Sequence, residues 1–104
     1  MAYETLNGAA VSDAALYAEY RAEMMPLLEA SGGAFRFDCE VSRVLKGEVP
    51  DGINRVFVIR FPDRRAKEAF FAGEEYRAIR ARLFDRAVKA FQVIAEYETG
   101  EESH

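Results

Sequence analysis

The chain has one cysteine and one histidine in 104 residues, no tryptophan and only three prolines. A lone Cys39 excludes an internal disulfide framework and a cysteine-cluster metal site; it fits a reducing compartment and is expected to be structural. His104 is the last residue of a tail, 99–104, expected to be flexible and acidic. Histidine catalysis and imidazole ligation of zinc or haem therefore lack a residue to rest on, and neither metal nor cofactor is expected. A glycine-rich phosphate loop is missing as well, because Gly32-Gly33 has neither Walker nor Rossmann spacing and follows a helical pattern. No apolar run is long enough to span a bilayer, and Met1 leads straight into Ala-Tyr-Glu. The expected location is the cytoplasm, with no membrane partner. Basic residues are outnumbered, giving a net charge of -4 and a pI near 5.0, which argues against nucleic acid as a partner.

What is present is a core: half the residues are hydrophobic, enough for one domain over residues 1–98. The charge is uneven. From Asp63 to Lys89 eight basic residues face five acidic ones, so that segment carries +3 and the remainder -7. An amphipathic helix with a mixed, solvated face accounts for this, and an anion-attracting rim is the alternative.

Ala2 to about Ala10 reads as a first strand. Ser12 or Asp13 caps a helix whose stripe is Leu16, Tyr17, Tyr20, Met24, Leu27 and Leu28, with a kink or break expected at Pro26. Gly32-Gly33 ends it, one glycine taking the left-handed conformation. Phe35, Phe37, Cys39 and Val41 alternate with polar residues as a second strand, and about Ile53 to Phe61 forms a third. A hairpin centred near Val49 would set Val41 against Phe57, Cys39 against Ile59, Phe37 against Phe61 and Asp38 against Arg60, with a bulge near Arg43 to Leu45. Asp63 caps a second helix, interrupted at Gly73 and resumed at Glu74 or Glu75 with Tyr76, Ile79, Leu83, Ala87 and Val88 inward. Phe91 to Glu98 alternates as a fourth strand.

The order β-α-β-β-α-β is the ferredoxin-like α+β arrangement, four antiparallel strands with helices on one face and strands one and three central. Strand three is apolar on both faces (Phe57, Ile59 and Phe61; Val56 and Val58), so its helix-free face needs a cover. A second copy of the chain is the economical one, giving a homodimer that encloses a barrel-like core.

Helix one with Tyr20 and Pro26-Leu27-Leu28, then Gly32-Gly33, Phe61-Pro62-Asp63 and Glu75-Tyr76, resemble in order and spacing the bacterial family known as domain of unknown function 1330. The resemblance runs from about Tyr3 to Tyr97. It implies the dimeric α+β barrel superfamily, whose members include cofactor-independent monooxygenases, muconolactone isomerases, haem-degrading enzymes and ligand-sensing modules, so fold alone does not select a function. The family often carries an arginine seven residues after the Glu-Tyr tyrosine. Here that place holds Leu83, with Arg80 and Arg82 nearby.

Four residues are candidates for a ligand site. Arg60 is the charge on an otherwise apolar strand, placed to hold a carboxylate or enolate, with Asp38 as its orienting partner or a general base. A structural ion pair is the competing reading. Tyr76 and Arg80 share a helical face one turn apart; a core role for Tyr76 and a solvated one for Arg80 compete with binding. The expected function is binding of a small, partly apolar or anionic metabolite, with two alternatives: a cofactor-independent oxygenase or isomerase, and a purely structural or interaction module.

Overall fold

The computed structural model describes residues 1–100. Its elements are β1 (Ala2–Val11), α1 (Ala14–Ala30), β2 (Ala34–Glu40), β3 (Arg55–Phe61), α2 (Arg64–Ala72), α3 (Glu74–Ile79), a π-helical turn (Arg80–Phe84), α4 (Asp85–Ala87) and β4 (Val88–Thr99). The four strands form one antiparallel sheet in the order β2-β3-β1-β4, so β1 and β3 are central, as the doubly apolar third strand requires. This is the ferredoxin-like α+β fold. Thr99 closes β4 instead of opening a tail, and residues 101–104, His104 among them, lie outside the described residues.

Short polar side chains set the helix ends. The Asp13 and Asp63 carboxylates accept from the Leu16 and Ala66 amides at 3.0 and 2.8 Å, each satisfying a donor that the first helical turn leaves free. At the end of α1, Gly32 has φ +83°, its amide donates to the Glu29 carbonyl, and the Gly33 amide donates to the Leu28 carbonyl. That pair of bonds is a Schellman motif. The expected break at Pro26 does not occur: α1 runs through it from Ala14 to Ala30. Met24 and Leu28, on either side of the proline, are buried in the core and hold both halves of the helix against the sheet, offsetting a proline cost of roughly 3 kcal/mol.

The hairpin register departs from expectation. Phe35 opposes Ile59, and after a bulge at Arg36, Phe37 opposes Val58, Asp38 opposes Phe57, Cys39 opposes Val56 and Glu40 opposes Arg55. The long 41–54 connection shifts the pairing by about three residues, and the extra residue at Arg36 swaps the faces of residues 37–40. Phe37 and Cys39 therefore point away from the helices. Phe37 is 60% exposed and Cys39 is exposed, so neither belongs to the core expected of them. Asn54 closes the base of the hairpin, its carbonyl accepting from the Val41 amide at 2.8 Å, and ties it to β1, its side-chain amide bonding the Val11 amide and carbonyl at 2.9 and 3.0 Å and its main-chain amide donating to the Ala9 carbonyl.

The two faces of the sheet differ. Phe57, Ile59 and Phe61 pack under the helices with Tyr17, Tyr20, Met24 and Leu28. The opposite face presents Leu6, Val56, Val58, Phe37, Ile94 and Tyr97, and Phe37, Ile94 and Tyr97 are exposed.

Candidate functional site

The four candidate side chains fall in different places. Asp38 does not meet Arg60. It lies at the β2 edge on the helix side, where Arg21 of α1 grips it through two nitrogens at 2.8 and 3.1 Å and Arg55 approaches at 3.2 Å. The Arg21 guanidinium also lies 4.0 Å above the Phe35 ring and donates to the Tyr17 hydroxyl at 3.1 Å. Burial opposes the charge on Asp38, yet the two guanidiniums overcome it and hold the carboxyl below its usual range. Arg60 is on the other face, with its Nε 3.8 Å from the buried carboxylate of Glu4, which Arg36 binds at 2.8 Å. The expected Asp38–Arg60 pair is thus replaced by two separate ion clusters, one on each side of the sheet.

Tyr76 is a core residue. It is 3% exposed, packs against Phe70 and Phe71 at 4.7 and 5.3 Å between ring centres, and shares a 2.8 Å hydrogen bond between hydroxyls with buried Tyr20. Burial, followed by the neighbouring phenol, pushes Tyr20 far above the ordinary phenol range.

Arg80 stands at a cleft. A cavity of about 190 Å³ lies between the sheet and α2, with Thr5 and Asn7 of β1 and Val93 of β4 on its sheet side. Phe71 and Phe91 form apolar walls, and Lys67 and Arg80 complete the lining. The volume equals about six waters, small beside the roughly 300–1,000 Å³ of a drug-sized site. Larger hollows exist. One of about 480 Å³ is lined by the 41–54 loop, where most side chains are exposed and no buried polar groups converge.

Two irregularities of the backbone flank this cleft. The β1–β4 register shifts between Leu6 and Asn7, where Ala95 opposes Leu6 but Val93 opposes Asn7. On the helical side the chain passes through the π-helical turn, the Asp85 amide reaching the Arg80 carbonyl five residues back. The first sets Asn7 and Val93 on the cleft, and the second brings Arg80 over the Phe84 and Phe91 rings at 4.4 and 5.4 Å. Bulges and π-turns of this kind concentrate at functional sites because they re-aim single side chains.

The two cations are held unequally. Among the described residues Arg80 has one carboxylate nearby, the exposed Asp85 at 3.8 Å, while Lys67 bonds Glu96 at 3.0 Å. Glu96 also accepts the Tyr3 hydroxyl at 2.7 Å, and these two donors, Tyr3 first, hold its carboxyl below the usual range.

Sequence reasoning reached Arg80 but not Thr5, Asn7 or Lys67 as site residues. A signal existed: Thr5 and Asn7 are polar residues at successive helix-facing positions of a central strand, 2% and 3% exposed, and buried polar groups must be satisfied or serve a ligand.

Residues 2–97 match the family model described as Domain of unknown function (DUF1330). Among solved structures, a protein of unknown function from Rhodopseudomonas palustris superposes with TM-score 0.80 at 19% identity, covering 97% of this chain and 84% of its own. A dimeric ferredoxin-like protein of unknown function from Jannaschia sp. gives 0.60 at 14% identity over 95% and 100% of the two chains. A dabb family protein with a ferredoxin-like fold from Mesorhizobium loti gives 0.59 at 13% over 94% and 96%. No curated protein matches the chain.

Proposed function

Because the chain belongs to the DUF1330 family, whose description assigns no reaction, we propose its function from the cleft itself: it is a homodimeric protein that binds a small, partly apolar anion between sheet and helices. The observation that carries this reading is the convergence of the β-bulge and the π-helical turn on one cavity that has aromatic walls and two cations, Lys67 and Arg80. Apolar walls would hold the body of the ligand and the cations its charge. Of the four candidates from the sequence, Arg80 has this role. Tyr76 supports the Phe71 wall through ring contact, and Asp38 and Arg60 serve as structural ion partners. Replacing Arg80 with Gln is expected to weaken binding of a small carboxylate by about tenfold, as loss of a charge-assisted contact does. Unchanged affinity by calorimetry would overturn the assignment.

The dimer half of the reading rests on the helix-free face, where Phe37, Ile94 and Tyr97 are exposed beside Val58. Large apolar side chains exposed together on one face mark an interaction surface, and the Jannaschia neighbour of the same fold is described as dimeric. Light scattering should return twice the 11.7 kDa of the chain, and Phe37→Asp should lower it toward one chain. A wild-type mass of one chain at micromolar concentration would refute the dimer.

A further inference from the structure

Resting on the reading of the cleft as a ligand site, we infer that its ligand is a small hydroxycarboxylic acid, bound with the hydroxyl at the sheet and the carboxylate at the cations. Asn7 defines the sheet end. Its Nδ2 donates to the Thr5 carbonyl at 3.1 Å, the Thr5 hydroxyl oxygen at 3.0 Å and the Phe57 carbonyl at 3.3 Å. A flipped amide would set its oxygen against two carbonyl oxygens, so the chemistry of these partners fixes the orientation.

The amide oxygen is thereby turned away from those acceptors, and no donor among the described residues reaches it. Every fully shielded side-chain nitrogen and oxygen among the described residues has a partner, so Asn7 Oδ1 keeps some accessible surface although the residue is 3% exposed. The cavity is the opening that Asn7 lines. Beside it, the Thr5 oxygen already accepts from Asn7, which leaves the Thr5 hydroxyl hydrogen free to donate. An acceptor on Asn7 and a donor on Thr5, alternate residues on one strand face, complement a group that both donates and accepts. A hydroxyl is the smallest such group.

Lys67 and Arg80, 21% and 35% exposed in their side chains, are the outer partners, suited to an anion. Between the two ends stand Phe71, Phe91 and Val93, which suit a flat apolar middle. The cavity admits only a few atoms beyond such a skeleton, since about 190 Å³ is some six water volumes.

The experiment is a calorimetric series on the wild-type protein with 4-hydroxybenzoate, 4-fluorobenzoate, benzoate and phenol. The expected order places 4-hydroxybenzoate about 3- to 10-fold tighter than the two acids lacking the hydroxyl, the range that one buried neutral hydrogen bond commands. Phenol, without the anion, should bind more than tenfold more weakly than 4-hydroxybenzoate. In Asn7→Leu, checked for folding by circular dichroism, the preference for the hydroxyl should vanish. Equal affinity for the three acids would overturn the hydroxyl assignment and leave the anion cleft standing. Absence of binding by every acid would overturn the cleft reading and this inference with it.

Discussion

The paired hydroxyls of Tyr20 and Tyr76 offer a sharp test of whether Tyr76 is a structural residue or a proton donor. Each ring is under 5% exposed and the two oxygens are 2.8 Å apart. Changing Tyr76 to Phe removes one partner and strands the other hydroxyl in an aromatic environment formed by Tyr17 and Phe84, at 5.7 and 5.0 Å from the Tyr20 ring centre. Leaving a buried donor unsatisfied costs about 1–3 kcal/mol. For a domain of this size each kcal/mol lowers Tm by about 4–8 °C, so either single variant should melt about 4–24 °C early. Removing both hydroxyls strands neither, and the double variant should recover most of the loss, a coupling of about 1–2 kcal/mol. Thermal and urea unfolding at one fixed protein concentration measure this, since the proposed dimer would make stability concentration-dependent. Two neutral single variants, or a double variant whose cost equals the sum of the singles, would refute the reasoning.

The remaining predictions concern the helix end and the ion clusters. A methyl group at Gly33 would stand 2.5 Å from Leu28 Cδ1 and 3.2 Å from the Arg60 carbonyl; because Leu28 is wholly buried, Gly33→Ala should cost about 1–3 kcal/mol in urea unfolding. Asp38 and Glu96 both have depressed carboxyl pKa values. Such groups stabilise the fold above the unfolded-state value of about 3.9–4.3 and lose that contribution as pH falls through the lower folded value. Asp38→Asn should therefore flatten the decline of stability below about pH 4 while leaving part of it to Glu96. Its neutral-pH cost should stay near 1 kcal/mol or less, because the Asp38 side chain is 34% exposed and solvent screens the pair. An acid profile parallel to wild type would contradict this.

Much of the fold was legible because its determinants are local. Asp13 and Asp63 sit where a cap must sit, Gly32 takes the positive φ that ends α1, and the doubly apolar β3 is central. The hairpin register was not legible. It depends on the Val41 amide meeting the Asn54 carbonyl across the base of the loop and on a bulge at Arg36, and a strand alternating Phe-Arg-Phe-Asp reads equally well in either register until the far end of a long loop is placed. That misreading sent Phe37 into the core and Asp38 to Arg60. The cleft was half legible. Arg80 stood out as a charge on a helical face, but the π-helical turn that delivers it to the cavity leaves no mark in the periodicity. Asn7 and Thr5 were hidden in a first strand whose small residues gave only a moderate signal, and their burial emerges only when β3 and β4 pair on either side.

A nitrogen-15 amide titration of the wild-type protein with 4-hydroxybenzoate tests the central claim most directly. The cleft account predicts saturable shifts at Thr5, Asn7, Val93 and the Lys67–Phe71 turn of α2, with the 41–54 loop and the Asp38 edge unmoved. Shifts confined to that loop or edge, or no saturable shift anywhere, would contradict it.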